Sequence, residues 1–362
     1  MLEIALEVLK KLEEKGYECY LVGGFVRDYY LGIKSKDIDI CTNAKSKEIL
    51  KVFPNSKIPK EIYGAVTLFY KNIRFEITTF RKEIRYENRK PVELEYISSF
   101  IEDIKRRDFT INSLCMNSKG EIIDILDGKE DIDNKIIRSI NKVDISLKED
   151  PLRILRAIRF STQLDFNLDK ELIKGIKKNK KYLETVSYNR KMMELNKIFA
   201  SKNVKIGINL IKKLSLSKEL KLYDINKLVY VNDVIGYWVQ LDKDNVYEYT
   251  KQEKYNIKKI RELLKRKRIT KKEIYEYGLY ICGVAAQILS VDKDKIYELD
   301  KVLPIRNQKD IDITTEEILK IINKSPGPWL KKIYDDIIFN ILSDKLKNDK
   351  ESLKTYIKSR YI

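Results

Sequence analysis

The sequence predicts an α+β fold in which a mixed head of strands and helices is followed by an all-helical remainder. Three observations support this class. Short apolar runs alternate with helical segments in the first third of the chain, strand patterns stop after about residue 135, and helical periodicity continues from there to the end. A chain of 362 residues is also long enough for two or three domains.

The composition indicates packed cores beneath a large positive surface. Hydrophobic residues make up 43% of the chain and charged residues 35%, and the formal net charge is +18. This excess favours a polyanionic partner, either nucleic acid or an anionic membrane surface. A general bias of the genome towards Lys and Ile is the alternative explanation, so the charge alone does not identify the partner.

The chain contains no histidine. This removes the commonest general base, the commonest transition-metal ligand and any nucleophile that depends on a histidine. Catalysis would therefore have to use carboxylates, hard metal ions and cationic side chains. The cysteines lie far apart in apolar surroundings, which predicts buried, reduced thiols of an intracellular protein and neither a zinc site nor disulfides; they are Cys19, Cys41, Cys115 and Cys282.

Two segments bear on membranes. The first residues, "MLEIALEVLKKLEEKG", predict an amphipathic helix with too many charges for a signal peptide. The longest apolar stretch, "LYICGVAAQILSV", is too short to span a bilayer and predicts a core helix. We therefore expect a cytoplasmic protein that does not enter a membrane.

The elements of the head follow in order along the first third. "ECYLVG" predicts a strand, "FVRDYYLG" a short helix that ends at Gly32, and "DIDICT" a second strand. "AVTLFYKNIRFEITTF" predicts a hairpin with Lys71 and Asn72 at its turn and with Ile73, Phe75 and Ile77 on one face.

The remainder of the head contains one irregular stretch. Residues 81–99, "RKEIRYENRKPVELEYISS", are charged, contain a proline and lack a clear period, so we expect a long mobile loop of the kind that is usually functional. "FIEDIKRRDFTINSLCMNSKGEIIDILDG" then predicts a helix, a strand, a Ser-Lys-Gly turn and another strand.

The second part of the chain predicts helices throughout. "DPLRILRAIRFSTQL" opens this run, and the charge becomes more basic in "NIKKIRELLKRKRITKKE", residues 256–273. The basic run is compatible with binding RNA and equally with an ordinary solvated helix face. We see no internal repeat and no long linker.

The stretch "KDIDICT" predicts a metal site. Asp37 and Asp39 are two residues apart on a predicted strand, so their side chains share a face, while Ile38 and Ile40 point into a core. Two carboxylates on one face repel each other unless a cation lies between them. Oxygen ligands of this kind suit Mg²⁺, which binds one or two carboxylates together with substrate phosphates and water. Charges at a strand edge are the alternative for such a pair.

A phosphate site is predicted beside the two aspartates. Gly23 and Gly24 lie between a strand and a helix, where exposed backbone N–H groups favour an anion, and Arg27 is in reach of the same anion. Glu76 interrupts an apolar strand that could pair beside "DIDIC". It is a candidate third metal ligand, and an outward-facing position on an alternating strand explains it equally well.

Three motifs resemble those of class II tRNA nucleotidyltransferases, the CCA-adding enzymes and their bacterial poly(A) polymerase relatives. They are "LVGGFVRDYYLG…KDIDICT", "RRDFTINSL" and "EDPLRILRAIRFSTQLDF", in the family's order, and the resemblance covers about residues 18–200. It implies a polymerase-β-like head (1–135), a helical, nucleotide-selecting neck (136–200), and a helical body and tail that bind tRNA (201–362).

The resemblance also implies roles for individual residues. Gly24 and Arg27 match the family's phosphate loop, Asp37 and Asp39 its metal-binding and catalytic aspartates, and Arg107 its nucleotide-contacting arginine. Asp28 is left as a structural partner on the short helix. One departure concerns "SYNRKMMEL", where the family often has Glu-Arg and this chain has Asn189-Arg190, so no role follows for Arg190 or Glu194.

"EDPLRILRAIRF" predicts a device for selecting nucleotides. Asp150 before Pro151 suits a helix N-cap, but capping does not explain Arg153, Arg156 and Arg159 within an apolar helix. Positions three apart are neighbours on a helix, so we expect one Asp150–Arg153 pair and two further cations for a triphosphate.

The chemistry of such a pair favours C and A. An ionised aspartate only accepts hydrogen bonds and an arginine only donates them. Cytosine and adenine offer an amino donor beside a ring-nitrogen acceptor, whereas uracil and guanine offer the reverse and would leave buried polar groups unpaired. The resemblance gives Asp150 and Arg153 this same role, the selection of CTP and ATP without a template.

Together these features predict an enzyme that adds C, C and A to the 3′ end of tRNA, with Mg²⁺ as cofactor and CTP and ATP as substrates. In the family, members that add the terminal A keep a flexible loop at 81–99, and its full length here favours complete addition. Poly(A) synthesis or partial, CC-only or A-only, addition shares the same motifs and stays open. A basic RNA-binding protein with an inactive head is the non-enzymatic alternative. The sequence does not decide between a monomer and a homodimer.

Overall fold

The structure is a computed structural model that describes residues 1–35, 37–58, 64–87 and 90–362, with the backbone alone given for 82–87, 90–94 and 293. The chain forms two compact units, Met1–Lys221 and Leu222–Ile362. The boundaries expected at residues 135 and 200 separate a catalytic head, a nucleotide-selecting neck and a tRNA-binding body. This functional division stays a prediction.

The strands of the described residues all lie in the first unit. They are β1 (Cys19–Val22), β2 (Ile38–Thr42), β3 (Ala65–Tyr70), β4 (Ile73–Thr79), β5 (Arg81–Glu87), β6 (Lys90–Tyr96), β7 (Cys115–Met116), β8 (Ile122–Ile123), β9 (Ile136–Ile137) and β10 (Asn167–Leu168).

The helices of the first unit surround these strands. They are α1 (Leu2–Glu13), α2 (Gly24–Tyr30), α3 (Ser46–Val52), α4 (Phe100–Lys105), α5 (Gly128–Asp133), α6 (Val143–Glu149), α7 (Leu152–Leu164), α8 (Lys170–Asn179), α9 (Tyr188–Phe199) and α10 (Val204–Lys213), with 3₁₀ turns at Thr110–Asn112 and Lys180–Thr185.

Helices are the only regular secondary structure among the described residues of the second unit. Its helices are α11 (Val234–Leu241), α12 (Lys251–Arg266), α13 (Lys271–Ile288), α14 (Lys293–Lys301), α15 (Thr315–Ile322), α16 (Trp329–Leu342) and α17 (Lys350–Tyr361), with 3₁₀ turns at Ile225–Lys227 and Gln308–Asp310.

A mixed sheet positions the catalytic candidates. In the described residues it has six strands in the order β3-β4-β2-β1-β7-β8. β2 pairs with β1 in antiparallel and with β4 in parallel orientation. Ile38 and Ile40 are buried, as predicted. Because side chains alternate along a strand, Asp39 points to the opposite face.

The predicted hairpin and short helix are confirmed. β3 and β4 are antiparallel, and Lys71 and Asn72 at their turn both have positive φ, 47° and 62°. Two positive φ values are the mark of a type I′ turn, whose twist matches that of the flanking strands. α2 is followed by Gly32 with φ +70°, the left-handed conformation in which glycine commonly ends a helix.

Two expectations about secondary structure were wrong. Residues 81–96 are not a loop, since β5 and β6 form an antiparallel two-stranded sheet with irregular register near Arg85; residues 88 and 89 lie outside the described residues. Strand structure also continues past residue 135, where β9 pairs in parallel with β10. Strands of two residues are too short to produce an alternating pattern.

The second unit has its own apolar core. Ile333, Ile337 and Ile341 of α16 are buried against residues of the surrounding helices. The stretch "LYICGVAAQILSV" lies largely in α13 with Ile281, Cys282 and Ala285 buried, as predicted for a core helix. On α12 the basic side chains Lys258, Lys265 and Arg266 are exposed, which is compatible with either interpretation of the basic run.

The four cysteines are free and buried, as expected. Among the described residues, none of the helices is both long enough and apolar enough to cross a membrane.

Candidate active site

A cavity of about 610 Å³ in the first unit collects the predicted site residues. Its walls come from the β1–α2 connection, the start of β2, the segment after α4, and α7. All nine residues expected to bind nucleotide or metal on the strength of the three motifs line it: Gly24, Arg27, Asp37, Asp39, Arg107, Asp150, Arg153, Arg156 and Arg159. Glu76 is not among its lining residues.

Gly23 provides the sharp turn that brings β1 next to the site. Its φ is +69° and its ψ −135°, a conformation that only glycine adopts without strain. A Cβ placed there would lie 3.6 Å from Arg107 Nη1 and 3.8 Å from Asp39 Oδ2. Glycine is therefore required by the backbone conformation more than by the space available. The turn at Gly23 brings the backbone of the predicted phosphate loop next to Arg107 and Asp39.

The aspartates form a negative region at one edge of the cavity. Asp37 is exposed immediately before β2, and Asp39 is half-buried on it, directly opposite Glu76 of β4. Burial, with added repulsion from Glu76 and Asp37, raises the pKa of Asp39 to about 6. Glu76 itself is exposed.

This donor set fits a divalent cation. Within the described ranges no cluster of three or more Asp, Glu, Cys or His side chains is arranged around a common point. Two carboxylates are nevertheless what Mg²⁺ uses when substrate phosphates and water complete its shell. The repulsion that raises the pKa of Asp39 is relieved by a cation beside it.

Arg27 is held rigidly at the floor of the cavity. Its Nη1 donates to Asn112 Oδ1 at 2.6 Å, and its Nε and Nη2 donate to Asp28 Oδ1 at 2.9 and 2.6 Å. The side chain is buried. The expectation that Asp28 is a structural partner on α2 is thereby confirmed.

Asp103 fixes the two arginines of the "RRD" motif. This buried carboxylate accepts from Arg106 Nε at 2.9 Å and from Arg107 Nη2 at 3.2 Å. The Nε of Arg107 is buried and has no hydrogen-bond partner among the residues that the structure describes. An orphaned donor on the cavity wall is the type of group that a phosphate oxygen would satisfy.

Two arginines of α7, Arg156 and Arg159, each have a carboxylate partner. Arg156 contacts Asp108 Oδ2 through Nε at 2.7 Å and Nη2 at 2.5 Å, and Arg159 Nε lies 2.7 Å from Glu194 Oε2. Burial alone would raise the pKa of Asp108, but Arg156 and the amide of Asn112 outweigh it and lower the pKa to about 2. Both ion pairs fix guanidinium groups that face the cavity.

Three guanidinium groups lie around the aromatic ring of Phe160. The Cζ atoms of Arg27, Arg156 and Arg159 lie 5.2, 5.4 and 4.1 Å from its centroid. Guanidinium groups at this distance are attracted to an aromatic ring, which partly offsets their mutual repulsion. Residues from α2 and α7 thus present a concentrated positive surface.

Asp150 and Arg153 are both at the cavity but do not pair as expected. In the part of the chain that the structure describes, no hydrogen bond or ion pair joins their side chains. Arg153 donates to Ser146 Oγ and to the backbone oxygen of Arg106, and Asp150 contacts Arg190 Nη2 at 3.4 Å. Asp150 also accepts from the N–H of Leu152 at 3.2 Å, as a capping side chain does, but the N-cap position of α7 is Pro151 and not Asp150.

The sequence interpretation missed several residues of the site. Eight arginines and five aspartates are among the described residues that line the cavity, an excess of positive charge. The additional lining or supporting side chains are Ser35, Arg81, Asp103, Arg106, Asp108, Asn112, Ser146, Phe160, Arg190 and Glu194. Those within the "RRDFTINSL" and "EDPLRILRAIRF" motifs could have been found from the motifs, whereas Arg190 and Glu194 were recognised only as a departure from the family pattern.

Comparisons with known proteins identify relatives of the chain. A family model for the poly A polymerase head domain matches residues 19–138, one for an RNA- and SrmB-binding site of polymerase A matches 165–222, and one for tRNA nucleotidyltransferase domain 2 matches 209–357. The CCA-adding enzyme of Listeria monocytogenes serotype 4b is 33% identical, over 98% of this chain and 97% of its own length.

Solved structures have the same fold. The Bacillus stearothermophilus CCA-adding enzyme in complex with CTP gives a TM-score of 0.85 at 24% identity, over 99% of this chain and 97% of that chain. The Thermotoga maritima CCA-adding enzyme complexed with tRNA gives 0.70 at 23% identity, over 99% and 95%. These likenesses confirm the expected polymerase-β-like head with a helical remainder, and the identity to the Listeria enzyme over nearly the whole of both proteins shows that the chain belongs to the CCA-adding enzymes, a family of tRNA nucleotidyltransferases.

Proposed function

We propose that this protein adds C, C and A to the 3′ end of tRNA, taking CTP and ATP as substrates without a nucleic-acid template. The observation that carries the proposal is convergence. Nine residues from three separate motifs line one cavity whose described walls carry more arginine than aspartate. Such a cavity has the charge to bind a triphosphate and the carboxylates to bind a metal beside it.

The family depends on a divalent metal ion, and we propose Mg²⁺ held by Asp37 and Asp39. Bound there, the ion would supply charge stabilisation at the α-phosphate and lower the pKa of the attacking 3′-hydroxyl. Such a contribution would account for an enzyme that has no histidine to serve as a general base.

The chain's own cations would orient the triphosphate. Arg27, Arg156 and Arg159 are each fixed by a carboxylate and share the ring of Phe160, so little side-chain entropy is lost when phosphates bind. Arg107 adds a donor on the same wall, since its Nε has no partner in the described part of the chain. The N–H groups after Gly23 would complete the phosphate contacts.

Asp150 and Arg153 would select the base. The carboxylate would accept from the amino group of cytosine or adenine, and the guanidinium would donate to the neighbouring ring nitrogen. With uracil or guanine, acceptor meets acceptor and donor meets donor, which leaves buried polar groups unpaired. The protein would work in the cytoplasm, where tRNA is matured, as a monomer or homodimer.

The test supplies tRNAs that end before CCA, before CA and before the final A, with one labelled triphosphate at a time. We expect CMP incorporation into the first two and AMP into the third, after which extension stops. Long A tails would instead indicate a poly(A) polymerase, and CMP without AMP a CC-adding enzyme.

A variant separates the chemistry from the binding of RNA. Asp39→Ala is expected to bind tRNA normally and to incorporate neither nucleotide. Asp144→Asn changes a half-buried aspartate of α6 that pairs with Lys178 and does not line the cavity, and it serves as the control. Extension of tRNA by the Asp39→Ala protein at the wild-type rate would reject the assigned site.

A further inference from the structure

The two base-reading side chains have opposite charge and are three residues apart at the start of a helix, a spacing at which ion pairs normally form. The N–H of Arg153 in fact donates to the backbone oxygen of Asp150 at 3.0 Å, so the two residues adjoin. Their side chains nevertheless turn to different partners throughout the described part of the site. Contacts with other residues of the fold therefore keep the side chains of Asp150 and Arg153 apart.

Arg153 is held from the side of α6. Its Nη1 donates to Ser146 Oγ at 2.6 Å and its Nη2 to the backbone oxygen of Arg106 at 2.8 Å. Both Arg153 and Ser146 are buried, with exposures of 7% and 1%. A buried guanidinium with two fixed acceptors keeps one orientation, because leaving either would cost an unsatisfied buried donor.

Asp150 is held from the side of α9. Its Oδ1 accepts from the N–H of Leu152 at 3.2 Å and lies 3.4 Å from Arg190 Nη2. Within the described residues all of the contacts of this carboxylate go to Oδ1, so Oδ2 is left to face a ligand. The N–H of Leu152 and Arg190 thus both bind Oδ1, and together they favour one position and rotation of the carboxylate.

Separation matters because a closed pair commits these groups to each other. In a direct Asp–Arg pair the carboxylate and up to two of the five N–H groups of the arginine bond to one another, which turns the guanidinium towards the carboxylate and away from a position beside it. The acceptor and donor must instead lie side by side, each with a free position towards the nucleotide. A site that loses this arrangement loses discrimination before it loses binding of the triphosphate.

We propose that Ser146 and Arg190 are positioning residues for nucleotide choice, which act by holding Arg153 and Asp150 apart. This inference rests on the proposed function, since it assumes that these two side chains contact the base. The role is distinct from binding phosphate. It falls to Ser146, which no motif singled out, and to Arg190, whose neighbour Asn189 departs from the family pattern.

The test measures the preference for CTP over UTP in two ways. One is the dissociation constant of each nucleotide at equilibrium, and the other is CMP against UMP incorporation into tRNA that lacks CCA. The variants are Ser146→Ala and Arg190→Gln, with Ser146→Thr and Arg190→Lys as conservative replacements. We expect both preferences to fall at least tenfold in the first two and to recover partly in the second two.

Two matched controls make the same chemical changes elsewhere. Ser161→Ala removes a buried hydroxyl on α7 that bonds the backbone oxygen of Phe166 at 2.5 Å. Arg138→Gln removes an arginine paired with Asp131 and Asp169 outside the cavity. Both controls should keep the wild-type preference within twofold, because general loss of stability would lower activity with CTP and UTP alike.

The outcomes separate the inference from the function beneath it. Wild-type preferences in folded Ser146→Ala and Arg190→Gln proteins would overturn the inference while leaving the proposed function intact. If wild-type protein incorporates neither CMP nor AMP, the proposed function fails, and the binding arm alone decides whether these residues set a nucleotide preference. Should Ser146→Ala not fold, Arg190→Gln, whose side chain is 35% exposed, carries the decision.

Discussion

Asp39 lies directly opposite Glu76 where the parallel strands β2 and β4 pair. Residues in register on neighbouring strands point to the same face of a sheet, so the two carboxylates share one side. Burial and the Glu76 charge, with a smaller contribution from Asp37, raise the pKa of Asp39. Negative charge is therefore concentrated beside the predicted phosphate loop, where a divalent cation would relieve the repulsion.

We expect Glu76→Gln to raise the Mg²⁺ concentration that gives half-maximal incorporation, by about tenfold, because groups around metal ligands typically contribute this much to affinity. The maximal rate should be restored at high Mg²⁺, since Glu76 does not line the cavity. Titrating Mg²⁺ with Glu171→Gln as an exposed control would check this. An unchanged titration would show that Glu76 is only an outward-facing strand residue.

We expect Asp108→Asn to weaken both folding and nucleotide binding. Asp108 is buried and accepts from Arg156, Asn112 and the N–H of Phe109. Its pKa of about 2 lies below the value of the unfolded chain, so it stabilises the fold above about pH 4 and loses this effect as pH falls towards 2. The loss at pH 7 should be about 2 kcal/mol.

Urea unfolding at pH 7 and at pH 3 measures this effect. The wild-type free energy of unfolding should fall more steeply with acid than that of the variant, and the KM for CTP should rise because Arg156 loses its orientation. Equal acid dependence of the two proteins would mean that the Asp108–Arg156 pair does not contribute to folding.

The nine site residues predicted from the sequence line the cavity, whereas supporting residues outside the motifs could not be predicted. Short motifs keep Asp37, Asp39, Asp150 and the arginines of α7 at fixed spacing, and all of them reached the cavity. Glu194 contacts Arg159 from 35 residues further along the chain. Ser146 contacts Arg153 from the preceding helix, α6. No local pattern specifies such distances.

The same limit explains the hairpin at residues 81–96. The second strand, "KPVELEY", does alternate between apolar and charged residues, but a proline at its start and the charge of its neighbours obscured the period. β5 and β6 pair with each other, with a register irregularity near Arg85, and this pairing stabilises strands that neither segment predicts on its own. Strand propensity depends on the partner, so isolated segments are weak predictors.

We expect Lys191→Met to stabilise the first unit. Lys191 is buried, its Nζ lies 4.7 Å from the ring centroid of Tyr188, and its Nζ–H bond to the backbone oxygen of Glu219 is long, at 3.3 Å. Burial lowers the pKa of Lys191 to about 8. Replacing a buried charge by an apolar side chain of similar length should raise the free energy of unfolding by about 1–3 kcal/mol at pH 7.

The pH dependence provides the control for Lys191. A lysine whose folded pKa lies below its unfolded value binds fewer protons in the folded state, so wild-type stability should rise as pH increases from about 8 to about 10.5. The Met variant should lack this rise. A wild-type curve that is flat over this window would mean that the ammonium group is adequately solvated in the fold.

The hairpin of β5 and β6 offers a last prediction, about which nucleotides are added. Family resemblance links this segment to the addition of the terminal A, and the structure gives it a separate two-stranded sheet that is not part of the central one. Shortening both strands equally, by removing 84–86 and 91–93, should leave the central sheet intact. We expect such a protein to add CMP twice at a near wild-type rate and to lose AMP addition by at least about a hundredfold, or about 2.7 kcal/mol in activation free energy.

Labelled ATP with tRNA ending in CC measures this loss of AMP addition. Removing the loop residues 118–119 between β7 and β8 is the control for the effect of a deletion as such. Normal AMP addition by the shortened protein would show that the hairpin has no part in the final step.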